Sequence, residues 1–244
     1  MLARSIAIIA GICAIIWSLS LFPTFRLESP LSDAEQRILS AETFNDAQLD
    51  TIKGQLAKSS KGFLSPSASI SNAVIRLRLL ERELQLPRGN DPAGLPEAEK
   101  AVQAALAETP TSSYMWLAEY WLKHRRGAPA GHDLQLLDMS YRTGPNEGWI
   151  AQRRNPIALS GFAGLPKDLA ERSLAEFTGL VRSGLYADAA NILAGPGWPV
   201  REMLLRGLTQ LDEGDRRRFA RALEAKDLED VVVVPGLEER HRAF

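Results

Sequence analysis

The chain has 244 residues and a formal charge of −1, with 29 Lys and Arg against 30 Asp and Glu. That balance excludes the strongly basic face expected of a nucleic-acid-binding domain. Its single cysteine, Cys13, lies inside an apolar N-terminal run, so the rest of the chain has no disulfide, no thiol nucleophile and no Cys-based metal site.

The first element is that run, Ile6 to Phe22, broken only by Gly11, Ser18 and Ser20 and closed by Pro23. Its seventeen residues sit at the short end of a membrane-spanning helix and beyond the usual apolar stretch of a cleavable signal. Arg4 precedes it, which holds the N-terminus in the cytoplasm and sends the body outward. The expectation is a signal-anchor over residues 1–26, on a bacterial inner membrane with the body in the periplasm. Cleavage after the small-x-small pattern Ser18-Leu19-Ser20 is the alternative, and gives a free periplasmic protein.

Residues 27–92 read as membrane-proximal helices and a linker. A helix is expected over residues 33–42, and another, started by Asn45 or Asp46, carries Leu49, Ile52 and Leu56 on one face. Ser65-Pro66 supplies a cap and first-turn pair, after which Ile70, Ala73, Val74, Leu77, Leu80 and Leu84 trace a helical stripe. The other face, with Arg76, Arg78, Glu81, Arg82 and Glu83, reads as solvated. Pro87 to Pro92 breaks the pattern.

Residues 93–228 form the main helical domain. Ala98, Val102, Ala105 and Leu106 mark an inward face that Pro110 ends. Thr111 or Ser112 caps a helix bearing Trp116, Leu117, Tyr120 and Trp121, closed by Gly127 after the cations Lys123 to Arg126. Leu134, Leu137 and Tyr141 mark the next helix, ended by Gly144-Pro145. Asn146 is expected to cap a helix bearing Trp149, and Pro156 to end or kink it. Pro166 opens a helix with Ala170, Leu174, Phe177 and Val181; Gly184 ends it, and Tyr186, Ala189, Ala190 and Leu193 continue. Val200, Leu204, Leu208 and Leu211 mark another, and Phe219 with Leu223 the last, after Gly214. Of the tail, 229–244, only Val231 to Val234 reads as β; four valines cannot make a sheet alone, so the segment is expected to pack as an extended tail or to pair with a partner.

Trp116-Leu117-Ala118 and Trp149-Ile150-Ala151 lie 33 residues apart, each after a proline, which is the spacing of a helical-hairpin repeat. With Trp116 as the early tryptophan, Gly127 falls at the inter-helix turn and Pro110 at the end of the preceding unit. Gly184-Leu185-Tyr186-Ala187-Asp188-Ala189 gives a second match. Over residues 95–195 the chain thus resembles a degenerate tetratricopeptide repeat, although Tyr120 replaces a small residue and residues 127–131 lengthen a turn. The resemblance implies an all-α fold of stacked antiparallel helix pairs, a solenoid. The layout of an N-terminal anchor before tryptophan-rich helical pairs is also similar to single-pass accessory proteins of bacterial exopolysaccharide and envelope-polymer clusters. That likeness implies a non-catalytic, membrane-tethered scaffold whose partners are envelope or polysaccharide-synthesis proteins, with homo-oligomerisation left open.

Chemistry is sparse. His124 and His132 flank a glycine-rich turn without a third ligand, whereas zinc sites use at least three protein ligands. Gly161-Phe162-Ala163-Gly164 lacks the Lys-Ser/Thr pair of a phosphate loop. No catalytic, cofactor or metal residue is assigned. Glu119, between Ala118 and Tyr120, is the acid on which an alternative reading as a polysaccharide- or peptidoglycan-modifying enzyme would rest; a soluble exported ligand-binding protein is the other alternative. Partner binding is assigned to Arg125, Arg126, Arg153 and Arg154, spaced to fall along one groove of stacked repeats, with Tyr120 and Trp121. Trp116 and Trp149 are expected to fill the core.

Overall fold

The computed structural model describes residues 11–13, 15–17, 28–40, 42, 44–59, 65–85, 93–127, 133–228 and 231–237. Every regular element among them is helical and none is a strand. The chain divides into two compact units, one ending at Pro110 and the other opening at Thr111. Most of the apolar run 6–22 lies outside the described residues, as do residues 60–64, 86–92, 128–132 and 238–244. Among the described residues no helix is long and apolar enough to cross a membrane.

The first unit holds α1 (residues 28–39), α2 (Asp46–Ser59), α3 (Pro66–Gln85) and α4 (Leu95–Glu108). Two caps set its starts. Asn45 Oδ1 accepts from the Gln48 amide at 2.9 Å while Gln48 Oε1 accepts from the Asn45 amide at 2.9 Å, a reciprocal capping box that opens α2. Ser65 Oγ accepts from the Ala68 amide at 3.2 Å and opens α3 with Pro66 in its first turn. α3 and α4 make the unit's most extensive contact. Ala98, Ala101, Val102 and Ala105 are buried along α4, and short side chains let the two backbones approach.

The stripe on α3 is wider than sequence spacing predicts, because Ser69, Ser71 and Ile75 are buried beside Ala73, Val74, Leu77 and Leu80. α1 covers this second face. Glu28 accepts from the Ser65 amide at 2.9 Å and the Ser65 hydroxyl at 2.8 Å, and seven residues later Glu35 accepts from Ser71 Oγ at 2.5 Å. The expectation that the charged face of α3 is merely solvated needs correcting at Glu83. Its carboxylate accepts from the Ala93 and Gly94 amides at 3.0 Å each, neutralising donors that the start of α4 leaves without intrahelical acceptors.

The second unit holds α5 (Ser113–Arg125), α6 (Leu134–Thr143), α7 (Gly148–Ser160), α8 (Lys167–Arg182), α9 (Tyr186–Ala194), α10 (Arg201–Gly207) and α11 (Glu213–Glu224). α5 packs on α6, α7 on α8 and α9 on α11, while α5 also meets α7, α7 meets α9 and α8 meets α10. Gly127 (φ +83°) and Gly184 (φ +79°) end α5 and α8 in the left-handed region, which glycine enters without a Cβ penalty. Leu117, Tyr120, Leu137, Tyr141, Ile150 and Leu169 form one apolar cluster. A larger one gathers around Phe177, Leu193, Leu204, Leu208, Phe219 and Leu223, with Phe177 and Phe219 edge to face at 6.0 Å between ring centroids.

Four local expectations are corrected here. Of the two outcomes expected at Pro156, an end or a kink, the end is overturned: α7 runs on to Ser160. Losing one amide donor in mid-helix costs about 3 kcal/mol, and here the buried residues Asn155, Ala158 and Leu159 around it hold the backbone in place. Asn146 is not the N-cap, which is Glu147. The last helix starts before Gly214, because Asp212 accepts from the Asp215 amide at 2.8 Å and caps it. Val231 to Val234, expected as β, forms no strand: the Val231 and Val232 amides turn back onto the Leu228 carbonyl at 3.2 and 2.9 Å, with Val232 and Val234 buried on the larger cluster and Val231 and Val233 exposed.

Burial pushes the Glu35 carboxyl above its ordinary range, and the hydrogen bond from Ser71 only partly offsets this. A raised folded-state value means the contribution to stability is fully present below the unfolded value and is lost as pH rises through the folded one. Glu35→Gln, which keeps an acceptor for Ser71 and removes the charge, is therefore expected to slow amide exchange in α1 and α3 at pH 7. At pH 4, where the wild-type carboxyl is protonated, the gain disappears. Equal protection of wild type and variant at both pH values would contradict this account of Glu35.

Candidate functional site

The strongest polar feature of the second unit starts from two misfits in apolar stripes. On α7, Ile150, Ala151, Arg154 and Ala158 follow helical spacing, and on α8 so do Leu169, Ser173, Glu176, Phe177 and Leu180; all but Glu176 are buried residues, and the Glu176 side chain is only 6% exposed. Packing α7 against α8 brings the two charges together. Arg154, 0% exposed, donates from Nε at 2.9 Å and Nη2 at 2.6 Å to Glu176 Oε1. Neither charge could be buried alone, since an unpaired ion in the interior costs several kcal/mol.

The remaining guanidinium donors are also used. Nη1 reaches the Ser140 carbonyl at 2.7 Å, Ser140 Oγ at 3.1 Å and Ser113 Oγ at 3.2 Å, and Nη2 reaches the Gly144 carbonyl at 3.0 Å. Ser113 Oγ in turn donates to the Ser140 carbonyl at 2.7 Å. The Tyr141 ring lies 4.1 Å under the guanidinium carbon, and its hydroxyl donates to Glu176 Oε2 at 3.0 Å. Asn155 Nδ2 donates to the Ser173 carbonyl at 2.8 Å and to Glu176 Oε2 at 3.4 Å. One guanidinium therefore ties together the start of α5, the end of α6, the α6–α7 turn and α8. Gly144 is required in that turn, because a Cβ there would lie 2.6 Å from Ser113 Cβ.

Burial is the main influence on both acids of the cluster. It raises the Glu176 carboxyl above its ordinary range, with Arg154, Tyr141 and Asn155 pulling it back. It raises the Tyr141 phenol far above its ordinary value, and the neighbouring Glu176 charge adds to that. Tyr141 is thus a neutral hydrogen-bond donor at any physiological pH, and Glu176, with both oxygens taken, is not placed to act as a base.

Outward from this cluster lies a half-open cleft of about 510 Å³. Tyr141 and Glu176 form its floor, Pro145, Asn146 and Gly148 one wall, and α8 the other. Ala175 and Gly179 line α8 toward Ala151 of α7. Arg172 and Arg182 stand ten residues apart on α8 at the cleft's edges, about 15 Å along the helix axis. Arg172 pairs with Asp138 at 3.1 Å; Arg182 is exposed and forms no ion pair among the described residues.

The residues assigned to partner binding fall into different environments. Arg154 is wholly internal and Tyr120 is buried, its phenol raised by that burial and by Asp133. Neither faces a groove, because α7 and α5 turn those positions onto the core. Arg153 is half-buried over the Tyr114 and Trp149 rings at 5.8 Å each, and Arg125 is exposed over the half-buried Trp121 at 5.3 Å. Arg126 is exposed at the end of α5. Trp116 and Trp149 are half-buried rather than central, with Trp149 packed on the edge of the smaller cluster. Glu119 is buried, and His124 stacks on Tyr120 at 4.6 Å; His132 is outside the described residues. No group of three metal-ligating side chains forms among the described residues.

Sequence reasoning missed Glu176, the contact of Tyr141 with it and with Arg154, and the cleft. The signal was present in the stripes, where a cation and an acid occupy inward positions of neighbouring helices. No protein-family model matches the chain, and no curated protein or solved structure matches it either.

Removing one member of a buried pair leaves the other charge uncompensated, whereas replacing both with apolar groups does not. Arg154→Met and Glu176→Met are each expected to cost about 3–5 kcal/mol in urea unfolding, and the double variant distinctly less than their sum. Additive losses would show that the two side chains do not act as a pair.

Proposed function

We propose that the chain is a non-catalytic interaction module, tethered by its N-terminal segment to a bacterial inner membrane and displaying helix pairs on the outer side. The reading extends to scaffolding envelope-polymer or exopolysaccharide synthesis or export. The observation that carries the non-catalytic part is the use of Arg154, Glu176 and Tyr141 as internal struts. The best-formed ionisable cluster of the second unit is saturated by its own residues, which suits a rigid framework rather than proton transfer.

Helix order supports the repeat-like part. α5 and α7 start 35 residues apart and α6 and α8 33 apart, α5, α7 and α9 are successive neighbours, and α8 meets α10. Each pair thus buries its inner face on the next, as a stack of hairpins must. The exchange of α10 for α11 as the partner of α9 is a departure from a regular repeat. The tether is supported by residues 11–13 and 15–17, which are helical with Ile12, Ile15, Ile16 and Trp17 at 52–70% exposure. Such side chains gain burial by entering lipid.

A membrane-proximal module acts by raising the local concentration of what it holds. The test is crosslinking in cells with full-length protein, followed by fractionation and identification of captured proteins. Wild type is expected in the membrane fraction with polymer-synthesis proteins attached. Ile12→Lys/Ile16→Lys, which adds about 2.5–3.5 kcal/mol of insertion cost per lysine, is expected to leave the membrane fraction. A wild-type protein that is soluble and captures nothing, or one that hydrolyses envelope glycan until Glu119→Ala abolishes it, would overturn the proposal.

A further inference from the structure

The cleft above the Arg154 cluster has a charge pattern that selects its occupant. Its floor acid cannot recruit a cation, since Glu176 Oε1 is held by Arg154 and Oε2 by Tyr141 and Asn155. Its edges carry two guanidinium groups, one of them, on Arg182, without an ion pair among the described residues. The first turn of α7 opens at Gly148 on the same cleft, but its N-cap acid Glu147 and the C-terminal end of α8 at Arg182 and Ser183 offset its positive pole, so the guanidinium groups carry the charge. Between these cations the trough is walled by Ala151, Ala175 and Gly179, residues too short to keep a main chain at a distance.

We propose that this cleft receives an extended acidic segment of a partner protein, with carboxylates about four residues apart reaching Arg172 and Arg182. The two arginines are separated by about 15 Å, a span that four or five residues of extended chain cover at about 3.3 Å each. Guanidinium groups suit carboxylates because their paired N–H donors match the two oxygens. Arg172, already shared with Asp138, is the weaker end, and Arg182 is the anchor. The proposal rests on the interaction-module reading and specifies the chemistry of what the module holds.

The experiment is fluorescence anisotropy of a labelled Glu-Ala-Ala-Ala-Glu peptide titrated with detergent-solubilised full-length protein. Wild type is expected to bind it, to ignore the Gln-Ala-Ala-Ala-Gln peptide, and to lose at least tenfold in affinity for Arg182→Glu. Ala175→Trp is expected to abolish binding without changing charge, because the indole fills the trough; both positions are exposed, and circular dichroism confirms folding. Equal binding of the two peptides, or no effect of either substitution, would overturn the proposal. Displacement by free glutarate at the peptide's own concentration would overturn it in favour of a small-anion site. The same variants separate this idea from the broader reading. Partner capture in cells that persists in Arg182→Glu and Ala175→Trp, with no peptide binding, removes the cleft and leaves the module. Peptide binding by a wild type that captures no partner removes the module and leaves the cleft.

Discussion

The second unit depends on a buried guanidinium. Arg154 is a permanent charge with no exposed surface, so the fold must supply it with a counter-ion and acceptors or leave it at a cost of several kcal/mol. It supplies Glu176 from α8, carbonyls from Ser140 and Gly144, and hydroxyls from Ser113 and Ser140. These groups come from four elements, so satisfying one side chain fixes the mutual placement of α5, α6, α7 and α8. Apolar packing alone would tolerate sliding among leucines; a planar set of donors with fixed directions does not.

The same strut shapes the surface. Because Arg154 Nη2 holds the Gly144 carbonyl, the turn that continues into Pro145, Asn146 and Gly148 is fixed relative to α8, and that separation is the width of the cleft. Gly144 can be drawn in this far only because it has no side chain to meet Ser113. A cleft whose walls are joined beneath by an ion pair is pre-formed, so an occupant need not order it, which favours affinity.

Periodicity made the helices legible and left their partners obscure. The stripe from Ile70 to Leu84, the start at Asn45 and the ends at Gly127 and Gly184 were all readable, since each reflects backbone chemistry local to a few residues. Arg154 was grouped with Arg125, Arg126 and Arg153 because paired arginines recur at repeat spacing, a property of the chain and not of the surface. The stronger clue lay in its register with Ile150, Ala151 and Ala158, four residues apart from its neighbours on one face. Tyr120 misled for the reverse reason, as aromatic side chains suit a binding groove and a core equally well. Glu83 was unreadable as a cap because its acceptors serve amides ten residues on, across a linker whose geometry no local rule predicts.

Net charge concealed the local electrostatics in the same way. A formal charge of −1 describes a sum, whereas recognition depends on which charges are already spent. Glu176 is spent on Arg154, and Asp138 is divided between Arg142 at 3.7 Å and Arg172 at 3.1 Å. Asp212 holds the amide of Asp215, and Asp215 holds Tyr186 and Arg218. With Glu176 and Asp138 engaged, the part of α8 that lines the cleft presents Arg172 and Arg182 on a nearly neutral protein. An acidic segment approaching it would meet little opposing field beyond about 8–10 Å in physiological salt, so steering is weak and selectivity falls to short-range geometry. That geometry is set by Arg154, which places the buried charge of the framework under the exposed charges of the cleft.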